Sequence, residues 1–172
     1  MKNVFLIGMM GSGKTTTAEE LAKIIGLKAI DLDDVIEDTA KKNINEIFVE
    51  DGEAAFRQME KEVLQKVLTS MKPVVAATGG GIILAQENVD RMRARGAVIY
   101  LKTSFDVLWS RVKDSKNRPL LKVSDPQGRF RSIFDVRGSL YEKAAHHVIL
   151  TDHKTPREIA LEIHERFLNK IK

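Results

Sequence analysis

The residues best suited to chemistry are concentrated in the segment VFLIGMMGSGKTTT, which begins at Val4. Gly8 to Thr15 match the pattern G-x-x-x-x-G-K-[ST], whose glycines let backbone N–H groups converge on phosphate oxygens. Lys14 would supply a positive charge to the β- and γ-phosphates, and the Thr15 hydroxyl would be a ligand for Mg²⁺. The segment therefore predicts a nucleoside triphosphate site whose contacts include Gly11, Ser12, Gly13, Lys14, Thr15 and Thr16.

A pair of carboxylates follows the second apolar run, in AIDLDDVIEDTA. Asp31 and Asp33 are two positions apart, so extended backbone would direct both side chains to one side and turn Leu32 into the core. Carboxylates near a phosphate site can bind metal-bound water or accept the proton of an attacking hydroxyl. A helix also begins here, so capping by Asp33 or Asp34 explains the acids equally well.

Two further segments could contact a second ligand. In EDGEAAFRQMEKEVL, Arg57 and Glu60 are three positions apart on one helix face. That spacing favours an exposed salt bridge over an arginine that Glu60 orients toward a substrate carboxylate. In VVAATGGGI, Gly79, Gly80 and Gly81 follow an apolar run, and consecutive glycines let a ligand approach the main chain.

The elements that must hold these residues alternate along the chain. Apolar runs of strand length occupy 4–7, 28–30, 74–77, 98–101 and 148–150, and helical periodicity occupies 15–25, 53–69, 86–95, 104–112, 131–145 and 156–168. This alternation predicts a parallel sheet covered by helices on both faces, with ligand sites at the carboxyl ends of the strands. The polar stretch KDSKNRPLLKVSDPQGR, 113–129, has neither pattern, and its length favours a lid over a disordered insert.

Composition limits the class of protein further. The 172 residues, 43% of them hydrophobic, suffice for one domain with a sizeable core. The net charge of +4 is scattered rather than clustered, which favours a small anionic ligand and argues against nucleic acid. The chain has no cysteine and no apolar run long enough to span a membrane. These features favour a cytoplasmic protein, and nothing in the sequence demands more than a monomer.

Several motifs together make the chain resemble the shikimate kinases, of the nucleoside-monophosphate-kinase-like branch of P-loop proteins: GMMGSGKT, DLDD, IFVEDGEAAFR, TGGG, NRPLL and RGSLYEKAA. The similarity covers essentially the full length. It implies a three-layer α/β fold with a five-stranded parallel sheet of order 2-3-1-4-5. It also implies one domain, 1–172, with a lid at about 113–129 and a substrate-binding region at about 33–61.

The resemblance also implies an activity and the residues that perform it. The γ-phosphate of MgATP would pass to the 3-hydroxyl of shikimate, in aromatic amino acid biosynthesis. Asp33 would act on the attacking hydroxyl as a base or orienting acceptor, and Asp31 would support Mg²⁺ through water. Arg57 and Arg137 would bind the shikimate carboxylate, and the glycine triplet, Gly80 especially, would contact the ring hydroxyls.

Other positions receive roles from the same resemblance. Arg118, in NRPLL, would swing onto the transferring phosphates and act with Lys14 in catalysis. Arg111 and Pro156 would stack on the two faces of adenine. Phe48 and Phe56 would pack against the substrate ring, although the residues alone indicate core positions.

Two other functions stay open at this stage. One is a kinase on the same fold for another small polyol acid, such as gluconate. The other is a nucleotide-binding or regulatory module without turnover. Met9 and Met10, within the phosphate-binding loop, are interpreted as packing residues.

Overall fold

The structure is a computed structural model that describes residues 2–115 and 119–168. In this part of the chain, one parallel sheet has the strand order 2-3-1-4-5. The predicted α/β class and strand order are therefore confirmed. The strands of the sheet are β1 (Asn3–Ile7), β2 (Lys28–Asp31), β3 (Val74–Ala77), β4 (Gly96–Lys102) and β5 (His147–Leu150).

Helices connect the strands and cover the sheet. They are α1 (Lys14–Ile25), α2 (Leu32–Ala40), α3 (Ile44–Glu46), α4 (Gly52–Thr69), α5 (Gln86–Arg95), α6 (Phe105–Val112), α7 (Pro126–Ala144) and α8 (Pro156–Ile163). Short 3₁₀ turns occupy Ile82–Leu84 and Pro119–Leu121, and π-helical turns occupy Ile47–Asp51 and His164–Leu168. None of the helices in the described ranges is long and apolar enough to cross a membrane.

Helix α7 begins earlier than the sequence pattern predicts. The Asp125 side chain accepts a hydrogen bond from the Gly128 N–H, and Pro126 occupies the first turn, where its missing N–H costs nothing. Residues 126–129 are therefore helical, and the prediction of a patternless stretch over all of 113–129 is wrong for its last part.

The sheet separates two apolar layers because successive strand residues point to opposite faces. Phe5 and Val98 pack on one side, in the cluster that includes side chains of α2, α4, α5, α6 and α7. Val4 and Ile99 pack on the other side, against α1 and α8. Helices on both faces of a buried parallel sheet form the predicted three-layer arrangement.

Strand order decides which loops meet. β3 lies between β2 and β1, so the carboxyl ends of these three strands are neighbours. The N–H and the hydroxyl of Thr78 both donate to the carbonyl oxygen of Leu6, at 3.2 and 3.0 Å, which ties the end of β3 to β1. The glycine triplet therefore follows a strand that lies between the strand carrying Asp31 and the strand that leads into the phosphate-binding loop.

Candidate active site

The loop between β1 and α1 adopts backbone angles that favour glycine. Gly11 and Gly13 both have φ of 84°, and a Cβ on Gly11 would lie 2.8 Å from Cγ1 of Val112. Gly13 is the N-cap of α1 and has no side chain that could cover the first N–H groups of the helix. The loop and the first turn of α1 line a cavity of about 530 Å³. A helix N-terminus at a cavity wall is suited to bind phosphate.

Lys14 and Arg111 lie on the wall of this cavity, which we call the nucleotide cavity. The Lys14 ammonium donates to the carbonyl oxygens of Gly8 and Met9, at 2.9 and 3.0 Å, so it lies over the loop. Arg111 donates from Nη1 to the Gly11 carbonyl oxygen at 2.9 Å, and Pro156 lines the same cavity. The residues that the sequence assigned to nucleotide binding in the described ranges are thus brought together.

Asp31 and Asp33 have different structural positions from those that the sequence predicts. Asp31, at the end of β2, is the N-cap of α2, and its Oδ1 accepts from the Asp33 N–H at 3.0 Å. The prediction of a cap on Asp33 or Asp34 is therefore wrong. Leu32 is fully buried, as expected, but α2 already begins there, so Asp31 is extended while Asp33 is helical, and the pair is not held by one extended segment. Both nevertheless line the nucleotide cavity.

Asp31 also contacts the phosphate-binding loop. The Thr15 hydroxyl donates to its Oδ2 at 2.5 Å. A hydroxyl and a carboxylate side by side are hard oxygen ligands of the kind that Mg²⁺ prefers, with phosphates and water completing its shell. Among the described residues no group of three or more His, Asp or Glu side chains could hold a metal ion. The Thr15–Asp31 pair therefore fits a magnesium ion that is bound largely through phosphate and water.

A second cavity, of about 570 Å³, adjoins the first and is called the acceptor cavity here. Its wall includes the residues that the resemblance assigned to the substrate: Asp33, Phe48, Phe56, Arg57, Gly79, Gly80, Gly81 and Arg137. The Phe48 and Phe56 rings contact each other, with centroids 4.8 Å apart. Arg137 is only 7% exposed. A buried guanidinium beside aromatic faces can bind an anionic group on a partly apolar ring.

Arg57 is held by a buried carboxylate. Its Nη1 donates to both carboxylate oxygens of Glu60, at 3.2 and 3.1 Å, and its Nη2 donates to Glu53 at 3.2 Å. Glu60 is 1% exposed, so the expectation of an exposed salt bridge is wrong. Burial raises the pKa of Glu60 to about 7, although the Arg57 guanidinium opposes the shift. The orientation of the Arg57 guanidinium is therefore set by a carboxylate buried in the protein core.

At Gly79 an added Cβ would crowd two carboxylates, whereas at Gly80 it would make ordinary contacts. A Cβ on Gly79 would be 2.8 Å from Oε1 of Glu60 and 2.9 Å from Oδ1 of Asp33. A Cβ on Gly80 would be 3.6 Å from both the Gly8 carbonyl oxygen and the Met10 nitrogen, so this glycine lies against the phosphate-binding loop. The triplet is therefore the main-chain boundary between the two cavities.

Three residues line both cavities: Met10, Asp33 and Gly80. A phosphate on the loop and a hydroxyl in the acceptor cavity would thus share a wall that carries a carboxylate. Arg118, assigned to catalysis by the resemblance, lies outside the described residues. Ser115 and Leu120, on either side of that gap, line the acceptor cavity.

Sequence reasoning missed several cavity residues. Lys154 lines the nucleotide cavity and forms an ion pair with Glu162 at 2.6 Å. The one sequence signal for its place in the cavity is that it precedes Pro156 by two residues. Met10 was interpreted as packing but lines both cavities. The outer wall of the acceptor cavity comes from the end of α2 and from α3, for which the sequence has no motif: Glu37, Asn43, Ile44 and Asn45.

A three-layer fold with strand order 2-3-1-4-5, a phosphate-binding loop and an adjoining acceptor cavity defines a P-loop kinase. The family model described as shikimate kinase matches residues 10–168. The chain belongs to the shikimate kinase family, whose members are ATP-using kinases, and the resemblance stated from the sequence is confirmed.

Individual relatives agree with this assignment. A shikimate kinase of Trichormus variabilis is 45% identical over 161 residues, covering 94% of this chain and 88% of the relative. One of Thermodesulfovibrio yellowstonii is 42% identical and covers 98% of each chain. The structure of an Acinetobacter baumannii shikimate kinase in complex with shikimate is 36% identical, with a TM-score of 0.93 over 100% of this chain and 96% of the other.

Proposed function

We propose that this protein transfers the γ-phosphate of ATP to the 3-hydroxyl of shikimate, giving shikimate 3-phosphate and ADP for aromatic amino acid biosynthesis. The observation that carries the proposal is the wall that the two cavities share, formed by Met10, Asp33 and Gly80. A donor phosphate and an acceptor hydroxyl on the two sides of this wall would meet for in-line transfer. Membership of the family supports shikimate as the acceptor.

The acceptor cavity suits a carboxylate on a small hydroxylated ring. Arg57 and Arg137 would bind the carboxylate through forked, charge-assisted hydrogen bonds. Phe48 and Phe56 would cover the apolar part of the ring. The glycine triplet would offer backbone N–H groups to the ring hydroxyls, because no side chain stands between the main chain and the cavity.

Transfer would proceed by positioning and by neutralising charge. The 3-hydroxyl oxygen forms a bond to the γ-phosphorus while the bond from that phosphorus to the β-γ bridging oxygen breaks. Asp33 would accept or orient the proton of the hydroxyl, since its carboxylate lies on the shared wall. Lys14 would offset the charge of the phosphates, and we assign Arg118 to the same task from the resemblance.

The nucleotide would occupy the cavity beside α1. Its phosphates would lie on the N–H groups of the loop and of the first helical turn, and adenine would lie between Arg111 and Pro156. Thr15 and Asp31 would hold Mg²⁺, which supplies charge neutralisation of the phosphates when it is bound.

We further propose that the chain acts as a cytoplasmic monomer of one domain, without a nucleic-acid partner. The region at about 33–61 would bind the acceptor. The region at about 113–129 would be a lid over it, which the position of Ser115 and Leu120 on the acceptor cavity supports.

The test is ADP release by the purified protein with MgATP, measured with shikimate, with gluconate and with no acceptor. We expect release that depends on shikimate, and phosphorus NMR of the product should show a phosphate ester on the 3-hydroxyl. Turnover with gluconate alone would reassign the acceptor. Tight ATP binding without turnover on either acceptor would indicate a nucleotide-binding module.

A further inference from the structure

Tyr141 of α7 is fully buried beneath the boundary between the two cavities. Its hydroxyl donates to the Gly80 carbonyl oxygen at 2.5 Å and lies 3.7 Å from the sulfur of Met9. Its ring stacks on Tyr100, with centroids 5.0 Å apart and an interplanar angle of 24°. The side chain therefore contacts the glycine triplet and the phosphate-binding loop at the same time.

The hydrogen bond acts on three consecutive glycines. The N–H groups of Ile82 and Leu84 donate to the carbonyl oxygens of Gly79 and Gly81, at 3.2 and 3.0 Å, and Tyr141 supplies the bond to the Gly80 carbonyl oxygen between them. Three consecutive glycines have no Cβ to restrict their dihedral angles, so their orientation must be set by contacts. Among the described residues no peptide bond is cis, so the carbonyl of Gly80 and the N–H of Gly81 point in opposite directions. Fixing the Gly80 carbonyl on Tyr141 therefore also fixes the direction of the Gly81 N–H, on the side away from the buried tyrosine.

The surroundings of Tyr141 keep the hydroxyl in its role as donor. Burial raises the pKa of Tyr141 far above its usual value, so the phenol is protonated at neutral pH. Arg137, one helical turn earlier on α7, lines the acceptor cavity. One helix therefore supplies both a cation for the acceptor and the group that holds the glycine main chain.

We propose that Tyr141 is a positioning residue, whose hydroxyl fixes the main chain of Gly80 so that the glycine triplet presents its N–H groups to the acceptor in the orientation that transfer requires. The proposal rests on the proposed function, because the acceptor is taken to be shikimate. Tyr141 is not among the described residues that line the two cavities, and its hydroxyl contacts both the Gly80 carbonyl oxygen and the Arg137 side chain. Measuring amide exchange separates the effect on Gly80 from any effect through Arg137.

The test compares Tyr141→Phe with Tyr100→Phe. Each variant loses one hydroxyl from the same stacked pair of buried rings, and Tyr100 is 3% exposed, but only Tyr141 bonds Gly80. We expect Tyr141→Phe to raise the KM for shikimate about 5- to 10-fold and to lower kcat, because one hydrogen bond to the main chain is lost. The KM for ATP should stay within about twofold, and Tyr100→Phe should leave all three constants within about twofold.

A second measurement does not depend on turnover. Amide hydrogen exchange of Gly80 and Gly81, followed by NMR at a temperature where both variants are folded, should be about tenfold faster in Tyr141→Phe than in Tyr100→Phe. Equal exchange rates, or equal shikimate KM values in the two variants, would overturn the proposal. So would an equal rise in the KM for ATP, which would assign the effect to the phosphate-binding loop. A wild-type protein without shikimate-dependent ADP release would refute the proposed function instead, while the exchange rates would still test the bond to Gly80.

Discussion

Replacing Glu60 with glutamine should remove a pH dependence of stability that the fold creates. Glu60 is 1% exposed, and burial raises its pKa from an ordinary 4.5 to about 7 despite the hydrogen bonds from Arg57. The folded state therefore binds a proton that the unfolded chain has already lost between these two values. The stabilisation from this group is fully present below pH 4.5 and is lost as the pH rises through about 7.

The size of the effect follows from the shift. The pKa shift from 4.5 to about 7 is about 2.5 units, and each unit corresponds to about 1.4 kcal/mol, so Glu60 contributes a loss of at most about 3.5 kcal/mol between acid and alkaline pH. Glutamine keeps the shape and can still accept from Arg57, but it does not titrate. We expect the free energy of unfolding of the wild type, relative to Glu60→Gln, to fall by about 2–3 kcal/mol from pH 4.5 to pH 8.

Urea unfolding at several pH values measures this difference directly. Glu62→Gln is a matched control, because Glu62 is an exposed residue of the same helix, and it accepts a hydrogen bond from Gln58 at 2.8 Å. Its stability curve should run parallel to that of the wild type. A curve for Glu60→Gln that is also parallel to the wild type would refute the reasoning. So would a wild type that becomes more stable relative to Glu60→Gln as the pH rises. Either result would mean that burial does not control the pKa of this carboxyl.

The remaining predictions concern the reaction and are read from steady-state ADP release and calorimetric ATP binding. Asp33→Asn should keep ATP affinity and lower kcat by about 100-fold or more; unchanged turnover would remove Asp33 from the mechanism. Arg57→Ala and Arg137→Ala should each raise the KM for shikimate by about 10- to 100-fold, with ATP binding nearly unchanged; equal losses for both ligands would point to folding damage. Arg118→Ala should lower kcat by about 1,000-fold, more than it raises the KM for shikimate; the reverse would make Arg118 a substrate-binding residue only.

Local patterns predicted the elements where one physical rule dominates. The strand 74–77 and the helix 86–95 agree with the structure because buried runs and amphipathic periodicity are short-range signals. Helix α7 was predicted too short, since its start depends on the Asp125 cap and on Pro126 rather than on apolar periodicity. The short α3 and the turn that follows it carry no such signal, and with them the outer wall of the acceptor cavity was missed.

The spacing of residues in the sequence did not predict which polar side chains are buried. Arg57 and Glu60 have the spacing of a surface ion pair, and only the packing of α4 beside α2, α5 and the loop after β3 makes Glu60 a buried carboxylate. Tyr141 shows the same limitation, because its partner Gly80 is 61 positions away in the chain. Contacts of this range depend on strand order and on helix packing, which no local window of sequence contains.

The sequence by itself determined the phosphate-binding loop, because glycine, lysine and threonine at that spacing meet the needs of phosphate within a few consecutive residues. It also indicated the family, through motifs spread along the chain. Only the tertiary structure decided that Asp33 lies on the wall that the two cavities share, and that Glu60 is buried behind Arg57. The reason is that the parallel order of β2, β3 and β1 brings loops that are distant in the sequence to one edge of the sheet. The distances between their side chains, and the burial of each, depend on that arrangement.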